Sequence, residues 1–310
     1  MHTFLIVTPV FEDRESFLEL LKAIKAEFHD AAYVIAVEDG SLISPSSIND
    51  FISTGISGEL ISLKRNVGHQ SAIAIGLQYV GLHFPKSTVV ILDSDGEDVP
   101  ASIPKLLRLM DEEGVAAVVA ERSKREVSIQ FKIFYSLYKI VFRSLTGKNI
   151  NFGNYMALKP LAIQRLLSMH ELWVHIAGCL LYSKLPIKGI SIERGARYRG
   201  TSKMNFSSLV LHALKGMSIF SNSIVVRVCV VSSLFAFLAL LLMPVPLALK
   251  TLNLASPGWS STLFAVLLII FMQSILAILL AVFFSSIDKH AKFNGYELDS
   301  IIFSIEKFQA

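Results

Sequence analysis

Short apolar runs alternate with amphipathic stretches through the first part of the chain. Five runs rich in Val, Ile and Leu are typical of strands buried on both faces of a parallel sheet. They lie at 4–7, 33–37, 59–63, 89–92 and 115–120. Helical apolar spacing follows at 12–28 and 70–80, and again after residue 100. The alternation predicts an α/β fold with a doubly wound, mostly parallel sheet.

Two uncharged apolar runs dominate the C-terminal part. They cover 228–249 and 263–287, which are 22 and 25 residues long. Each exceeds the roughly 20 helical residues needed to cross a bilayer, and two buried core helices would need a further soluble domain to cover them. The sequence therefore predicts a transmembrane helix pair. The expected organisation is a catalytic domain at 1–203, an amphipathic juxtamembrane segment at 204–227, the pair at 228–287 and a tail at 288–310.

Charges beside the two apolar runs predict an orientation. The connection at 250–262 carries one charge, whereas the flanks carry several. These are Lys203, Lys215, Arg227, Lys289 and Lys292. The positive-inside rule then places both termini and the catalytic domain in the cytoplasm, at the plasma (inner) membrane. The first ten residues are too short an apolar stretch for a signal segment.

Composition narrows the class of partner. The hydrophobic fraction is 53% and the mean hydropathy +0.55, which is high for a wholly soluble protein. The net charge of +4 is assigned to contact with anionic lipid, because no basic cluster is interleaved with aromatic residues for nucleic-acid binding. Two cysteines, Cys179 and Cys229, exclude a disulfide framework and a Cys-X-X-Cys metal site.

The candidate site residues follow directly after the apolar run at 89–92. Asp93, Asp95, Glu97 and Asp98 follow it within six residues, with a glycine between them and Pro100 after them. Four acids at one strand end repel each other unless a cation lies among them, and hard oxygen ligands suit Mg²⁺ or Mn²⁺. A solvated acidic loop that caps the next helix is the alternative. The strand before it and the helix after it favour the metal site.

This acidic run resembles a known family. Asp93 to Asp95 matches the Asp-X-Asp signature of GT-A glycosyltransferases, and the run to Pro100 resembles the Asp-X-Asp-Leu-Gln-X-Pro-Pro run of polyisoprenyl-phosphate glycosyltransferases of family 2. That group includes dolichyl-phosphate mannose synthase and bacterial undecaprenyl-phosphate glucosyltransferases. The resemblance implies that Asp95, with Asp93 and Glu97, binds the divalent metal, and that Asp95 and Asp98 are catalytic.

Three further runs resemble nucleotide-binding runs of the same family. Residues 8–12 resemble Pro-X-Tyr-Asn-Glu, 38–41 resemble Asn-Asp-Gly-Ser, and 65–69 resemble Arg-Asn-X-Gly-Lys with histidine at the last position. The implied nucleotide-binding residues are Pro9, Glu12, Asp39, Arg65, Asn66, Gly68, Asp93 and Ser94. The chain lacks Gly-X-Gly-X-X-Gly after its first strand and a P-loop lysine followed by Ser or Thr, which excludes those two nucleotide sites.

Most of the residues expected to bind the acceptor substrate are basic. Residues 127–145 form an amphipathic helix suited either to the headgroup region of a bilayer or to an ordinary core with one solvated face. Residues 197–203 resemble Arg-X-X-Gly-X-Ser-Lys, a loop that closes over phosphates in the family; a positive-inside cluster explains the charges equally well. The residues expected to bind the acceptor and the diphosphate are Arg122, Lys132, Ser136, Arg197, Arg199, Ser202 and Lys203.

Asn154 replaces the aspartate of the family's Gly-Asp-Phe-Arg-Leu run and is the third expected catalytic residue. The pattern and the resemblance together predict a metal-dependent glycosyltransferase that moves a sugar from a UDP- or GDP-linked donor to a polyprenyl (undecaprenyl) phosphate. The resemblance implies that the enzyme is inverting. There are two alternatives: a transferase that acts on a sugar or lipid hydroxyl, and a membrane-tethered scaffold without activity. The possibility of a homo-oligomer stays open. The pair of aspartates favours the enzyme.

Overall fold

The computed structural model describes residues 3–112, 114–122, 129–199, 206–288 and 297–310. Eight strands form one mixed sheet in the order β7-β5-β6-β4-β1-β2-β3-β8. Their bounds are β1 Phe4–Val10, β2 Ala32–Glu38, β3 Gly58–Leu63, β4 Val89–Ile91, β5 Ala117–Arg122, β6 Phe152–Leu158, β7 Ile187–Ile192 and β8 Ile302–Phe308. The five strands expected from the apolar runs are all present.

Twelve helices are found among these described residues. In the first part of the chain they are α1 Arg14–Phe28, α2 Ile48–Thr54, α3 His69–His83, α4 Ile103–Met110, α5 Ile129–Thr146, α6 Pro160–Leu167 and α7 Ile176–Tyr182. The later ones are α8 Phe206–Ser218, α9 Ser221–Leu242, α10 Pro244–Thr251, α11 Trp259–Asp288 and α12 Leu298–Ile301. The contacts between residues divide the chain into two compact units. The first comprises Met1–Lys139, Lys148–Ile219 and Phe293–Ala310, and the second Ile140–Gly147 and Phe220–Lys292.

Helices cover both faces of the sheet in the first unit. Strand side chains alternate between two cores: Leu5 and Val7 of β1 belong to the core beneath α3, α6 and α7, whereas Phe4 and Ile6 belong to the core beneath α1 and α4. Both faces are therefore buried, which explains why the strands are continuous apolar runs. The predicted α/β fold class is confirmed.

Four neighbouring strands place their carboxyl ends at one edge. β1 pairs in parallel with β2 and with β4, and β2 pairs in parallel with β3. The polar residues that follow β1, β2, β3 and β4 in the sequence therefore meet at this edge, as expected for ligand sites of open α/β sheets. β6 runs antiparallel between β4 and β5, so that the sheet is mixed rather than wholly parallel.

The C-terminal residues return to the sheet, although the sequence pattern predicts only a tail there. β8 pairs antiparallel with β3 and forms one edge of the sheet. Glu59 of β3 is 1% exposed and accepts a hydrogen bond from Tyr33 Oη at 3.0 Å, and its Oε1 lies 3.0 Å from Lys307 Nζ of β8. A hydrogen bond from Tyr79 completes this buried cluster, which ties the end of the chain to the domain.

The second unit consists mainly of apolar helices. Two stretches, Ser221–Thr251 and Trp259–Phe283, are long and apolar enough to cross a membrane by length and composition. Their large side chains are mostly exposed, as at Val230 and Phe237, which are 64% and 61% accessible. An apolar helix with an exposed surface suits a lipid environment rather than a protein core. Pro244 begins a separate helix, α10, and proline is tolerated at the first position of a helix.

Candidate active site

The acidic loop at 93–98 follows β4 at the carboxyl edge of the sheet. Leu92 N–H still donates to Val7 O of β1 at 3.2 Å, and the chain then turns away from the sheet. Asp98, 7% exposed, accepts a hydrogen bond from Asp93 N–H at 3.1 Å, and Asp95 Oδ1 accepts one from Glu97 N–H at 2.9 Å. Two of the four acids thus shape the loop by binding its own backbone.

Asp95 is a partly buried carboxylate. Its side chain is 16% exposed. Burial raises the pKa of Asp95, the hydrogen bond from Glu97 N–H and the charge of Arg197 lower it, and the nearby Asp93 carboxylate raises it, with a net upward result. A carboxylate desolvated in this way gains more from an added cation than an exposed one.

A strap formed by residues 194–199 lies directly on the acidic loop. Gly195 N–H donates to Glu97 O at 3.0 Å, and Tyr198 N–H donates to Asp95 O at 2.8 Å. Gly96 has φ +87°, and a Cβ at this position would lie 2.6 Å from the Tyr198 ring. The loop therefore needs glycine for both its conformation and its close contact with the strap.

The strap places two arginines on the acids. Arg197 Nη2 lies 2.7 Å from Asp95 Oδ2 and 3.7 Å from Glu97 Oε2, and Arg194 pairs with the same Glu97 oxygen. Arg197 was predicted to bind phosphate, and Arg194 was missed because it precedes the matched run. Arg199, also predicted, lies away from the loop, 3.4 Å from Glu15 on α1, with an exposed side chain.

The Asp39 carboxylate fixes a second loop, at 65–68, at the same edge of the sheet. It is 2% exposed, and its two oxygens accept hydrogen bonds from Val67 N–H at 2.7 Å and Gly68 N–H at 3.0 Å. Burial raises the pKa of Asp39 to about 6, against the lowering effect of these two hydrogen bonds. Gly40 has φ +70°, and a Cβ there would lie 2.6 Å from Asn66 N. Asp39 thus holds the 65–68 loop in place.

Glu12 positions another loop at the same edge. Its carboxylate accepts hydrogen bonds from the backbone N–H groups of Leu42 at 2.6 Å, Ile43 at 3.1 Å and Ser44 at 2.8 Å. The other residues expected at the nucleotide lie nearby in the fold: Pro9 is buried in β1, Ser94 is 8% exposed, and Arg65 and Asn66 are exposed. The structure brings the predicted nucleotide residues to one edge.

A chain of amide hydrogen bonds links this edge to Asn154 on β6. Asn154 Nδ2 lies 2.8 Å from His69 Nε2, and Gln70 Nε2 donates to Asn154 Oδ1 at 3.0 Å. His69 Nε2 also lies 3.2 Å from Asp93 Oδ1. Burial lowers the pKa of His69, but the carboxylates, Asp93 first, outweigh it and raise the pKa. In the sequence, His69 stands out only as a departure from the family run, and Gln70 was not predicted as a site residue.

The residues expected at the acceptor are only partly described. Ser136 is exposed on α5, and Arg122 ends β5. The side chains of Arg122 and Lys132 lie outside the described set, as do Ser202 and Lys203 entirely. Their role in binding the acceptor stays a prediction.

A divalent cation fits the donor chemistry of the acidic loop. Among the described residues, no group of three or more His, Cys, Asp or Glu side chains converges on a common point. Mg²⁺ is usually held by one or two carboxylates together with substrate phosphates, rather than by a complete protein cage. Two aspartates at the edge, Asp93 and Asp95, match that pattern.

Comparison with known proteins identifies the family. The model of glycosyl transferase family 2 matches residues 5–184, more than half of the chain. The putative glycosyltransferase CsbB of Bacillus subtilis is 24% identical over 270 residues, covering 84% of this chain and 80% of the relative. The undecaprenyl-phosphate 4-deoxy-4-formamido-L-arabinose transferase of Salmonella paratyphi A is 27% identical over 214 residues, covering 66% of this chain and 63% of that protein.

A solved structure with the same fold is glucosyl-3-phosphoglycerate synthase from Mycobacterium tuberculosis, determined with Mn²⁺, UDP and glucosyl-3-phosphoglycerate. It has a TM-score of 0.52 and 16% identity, and the match covers 72% of this chain and 80% of that one. The fold is therefore that of GT-A glycosyltransferases. The chain belongs to glycosyl transferase family 2 and is a glycosyltransferase.

Proposed function

We propose that this glycosyltransferase moves a sugar from a UDP- or GDP-linked donor to a polyprenyl phosphate, undecaprenyl phosphate in bacteria, at the cytoplasmic leaflet of a membrane. The observation that carries the proposal is the pair of aspartates at the carboxyl edge of the sheet, in a chain with two helices of membrane-spanning length. The similarity to an undecaprenyl-phosphate transferase supports the choice of acceptor.

On the donor side, Asp95 and Asp93 would hold Mg²⁺ or Mn²⁺, with Glu97 beside them. The cation, when bound, would neutralise charge on the leaving nucleoside diphosphate. The 65–68 loop, held by Asp39, would form the wall against the nucleotide. Arg197 would exchange its contact with Asp95 for the diphosphate, because a guanidinium matches phosphate oxygens as well as carboxylate oxygens.

On the acceptor side, Asn154 supports a phosphate. A hydroxyl nucleophile loses a proton as it attacks and normally needs a carboxylate or histidine as general base. A phosphomonoester has a second pKa of about 6 and is already largely dianionic at neutral pH. Asn154 can orient such a group by hydrogen bonds without adding negative charge. The resemblance to polyisoprenyl-phosphate glycosyltransferases further implies inversion at the anomeric carbon.

Charge and topology support the proposed membrane orientation. The chain leaves the first unit at Ile219, forms the apolar helices, and rejoins the first unit at its C-terminal end. Two crossings bring the chain back to the side it left, which agrees with one β-sheet containing strands from before and after the helices. With the basic residues on the flanks, the catalytic domain would lie in the cytoplasm.

Purified full-length protein in detergent tests the proposal. A panel of UDP- and GDP-sugars is incubated with Mg²⁺ or Mn²⁺ and either undecaprenyl phosphate or the corresponding undecaprenol, and the product lipid is resolved by mass. We expect a glycosylated lipid phosphate from one donor and none from the alcohol. Transfer to the alcohol alone supports a hydroxyl acceptor, and the absence of both transfer and donor hydrolysis supports a scaffold.

A further inference from the structure

The end of the acidic loop lies against β6, close to the point where the loop begins. The loop at 93–98 leaves the sheet from β4, which pairs antiparallel with β6 so that Ile91 lies opposite Met156. Tyr155, the residue before Met156, therefore lies beside the start of the loop. Its hydroxyl also lies 3.2 Å from the carbonyl oxygen of Val99, the residue that follows the loop. One side chain of β6 thus connects the end of the loop to the sheet.

Three hydrogen-bond donors meet at the carbonyl oxygen of Val99. This oxygen accepts from Ser102 N–H at 3.0 Å, and it lies 2.7 Å from Ser102 Oγ and 3.2 Å from Tyr155 Oη. The two hydroxyl oxygens lie 2.7 Å apart. A carbonyl oxygen has two lone pairs, and Ser102 N–H occupies one of them. One hydroxyl therefore donates to Val99 O and the other donates to its neighbouring hydroxyl, so that Tyr155 belongs to this group in either arrangement.

The two hydroxyls are both buried, but their losses would have different consequences. Tyr155 and Ser102 are 5% and 7% exposed. Without the tyrosine hydroxyl, Ser102 N–H and Ser102 Oγ can both still donate to Val99 O, so the turn before α4 survives and only the link to β6 is lost. Without the serine hydroxyl, Tyr155 can still donate to Val99 O. Tyr155 is therefore the residue whose hydroxyl ties the end of the loop to the sheet.

The end of the loop in turn fixes the carboxylates within it. Asp98, next to Val99, accepts a hydrogen bond from Asp93 N–H at 3.1 Å. A displacement of Val99 would therefore reach the backbone of Asp93 through Asp98. Two carboxylates that bind one cation must keep a fixed separation, and a loop that is already held at both ends loses less conformational entropy when the cation binds.

Two departures from the family runs meet at this contact. The matched run Asp-X-Asp-Leu-Gln-X-Pro-Pro has proline where this chain has Val99, and the run Gly-Asp-Phe-Arg-Leu has phenylalanine where it has Tyr155. Proline fixes φ at about −65°, whereas valine leaves this angle free. Phenylalanine has no hydroxyl to donate. The chain thus lacks the proline at the end of the loop and has a hydrogen-bonded hydroxyl there instead.

We propose that Tyr155 is a positioning residue of the active site: its hydroxyl holds the end of the acidic loop against β6 and so keeps Asp93 and Asp95 in place for a divalent cation. It supplies the restraint that proline supplies in the matched run. Tyr155 acts through the loop and not on the substrate. Its importance for transfer rests on the proposed function, whereas its effect on the binding of a metal ion is measured without any turnover.

Tyr155→Phe is the informative substitution because it removes one hydroxyl and leaves the ring. Tyr33→Phe is the matched control. Tyr33 is 9% exposed and its hydroxyl donates to Glu59 at 3.0 Å, but it lies near the start of β2, at the end of that strand opposite to the carboxyl edge. Val99→Pro tests the exchange of restraints. Val99 has φ −84°, which is close to the angle of proline, and its N–H makes no hydrogen bond among the described residues.

The measurement is titration calorimetry with Mn²⁺ on the full-length protein in detergent, without nucleotide. We expect the dissociation constant for Mn²⁺ to rise by about fivefold in Tyr155→Phe, which is the effect of one hydrogen bond. The rise should be smaller in Ser102→Ala and absent in Tyr33→Phe. The double variant Val99→Pro/Tyr155→Phe should bind Mn²⁺ as the wild type does.

Three results would overturn the proposal. The first is an unchanged affinity for Mn²⁺ in Tyr155→Phe, and the second is the absence of Mn²⁺ binding by the wild type. The third is an equal loss of affinity in Tyr33→Phe, which would show a general effect of losing a buried hydroxyl. A double variant that binds Mn²⁺ as weakly as Tyr155→Phe would overturn the exchange of proline for tyrosine.

Transfer kinetics supply the second measurement. At limiting Mn²⁺ the rate of transfer by Tyr155→Phe should fall by about fivefold, and saturating Mn²⁺ should restore most of it. A loss at saturating Mn²⁺ as large as that at limiting Mn²⁺ would contradict a role in holding the metal-binding carboxylates. If no variant, wild type included, transfers sugar while the affinities for Mn²⁺ are as expected, the proposed function fails and the role of Tyr155 stands.

Discussion

Arg197 should compete with a metal ion for Asp95. Both oxygens of this carboxylate are engaged: Oδ1 accepts from Glu97 N–H and Oδ2 faces Arg197 Nη2 at 2.7 Å. A cation that binds Asp95 must therefore displace the guanidinium or share its oxygen. We predict that Arg197→Met increases the affinity for Mn²⁺ measured without nucleotide, although the same substitution should impair transfer because it removes a proposed ligand of the diphosphate.

The size of the effect follows from burial. The side chains of Arg197 and Asp95 are 24% and 16% exposed, so this ion pair lies between a surface pair and a buried one. Surface pairs contribute about 0–1 kcal/mol, and hydrogen bonds to charged groups about 1.5–3 kcal/mol. An intermediate value of about 1.4 kcal/mol corresponds to a tenfold change in an equilibrium constant. The dissociation constant for Mn²⁺ should fall by about tenfold.

Titration calorimetry with Mn²⁺ on the full-length protein measures this change. Arg199→Met is the matched control, because Arg199 belongs to the same strap but pairs with Glu15 at the surface. The control should bind Mn²⁺ as the wild type does. An unchanged or weaker affinity for Mn²⁺ in Arg197→Met would show that the guanidinium does not compete with the metal ion for Asp95.

Three further predictions concern single carboxylates. Asp95→Ala should abolish transfer and leave the melting temperature within a few degrees, which an assay and a thermal melt of the same sample check; transfer near the wild-type rate would refute the metal assignment. Asp39 has a folded pKa of about 6, raised by burial from 3.8, so the folded state binds the proton more tightly and stability from this group falls as pH rises from about 4 to 6. Asp39→Asn should remove a contribution of about 2–3 kcal/mol to the difference in the free energy of unfolding between pH 4 and pH 7. Unfolding curves of the mutant that show the same difference between these pH values as the wild type would contradict this. Glu59→Ala should cost about 2–4 kcal/mol because two tyrosines and a lysine lose a buried partner, and a denaturant midpoint equal to that of the wild type would refute it.

The meeting of Asp39 and the acidic loop at one edge of the sheet was predictable from the sequence. Buried parallel strands place their carboxyl ends together, so the strand pattern places Asp39 and the acidic loop at one edge. The roles expected of these residues came from the family resemblance. The apolar helices were predicted from the length of two uncharged apolar runs, because runs of that length have few alternatives. These features depend on local pattern, which a single sequence contains.

Other features depend on contacts between distant residues. β8 is separated from its partner β3 by more than two hundred residues, and its short alternating pattern gives no indication of which edge it joins. Arg194 lies outside the matched run, and its role arises only when the strap packs on the acidic loop. Likewise, His69 and Asn154 are 85 positions apart, and no local pattern reveals that they are partners.

Glu12 illustrates a different limit. The resemblance implies that it contacts the nucleotide, and the structure places it directly after β1, at the same edge of the sheet as the acidic loop. There its carboxylate is occupied by the backbone N–H groups of residues 42–44. A motif specifies which residue stands at a position, but the hydrogen-bond partners of a carboxylate depend on the conformation of a neighbouring loop.

The identity of the acceptor is tested most directly by one comparison of wild type and Asn154→Ala. Both proteins are supplied with the donor, Mg²⁺ and either undecaprenyl phosphate or undecaprenol, and the glycosylated lipid is quantified by mass. We expect product from the lipid phosphate alone, and a loss of transfer in Asn154→Ala far smaller than in Asp95→Ala. Product from the alcohol with none from the phosphate would contradict it.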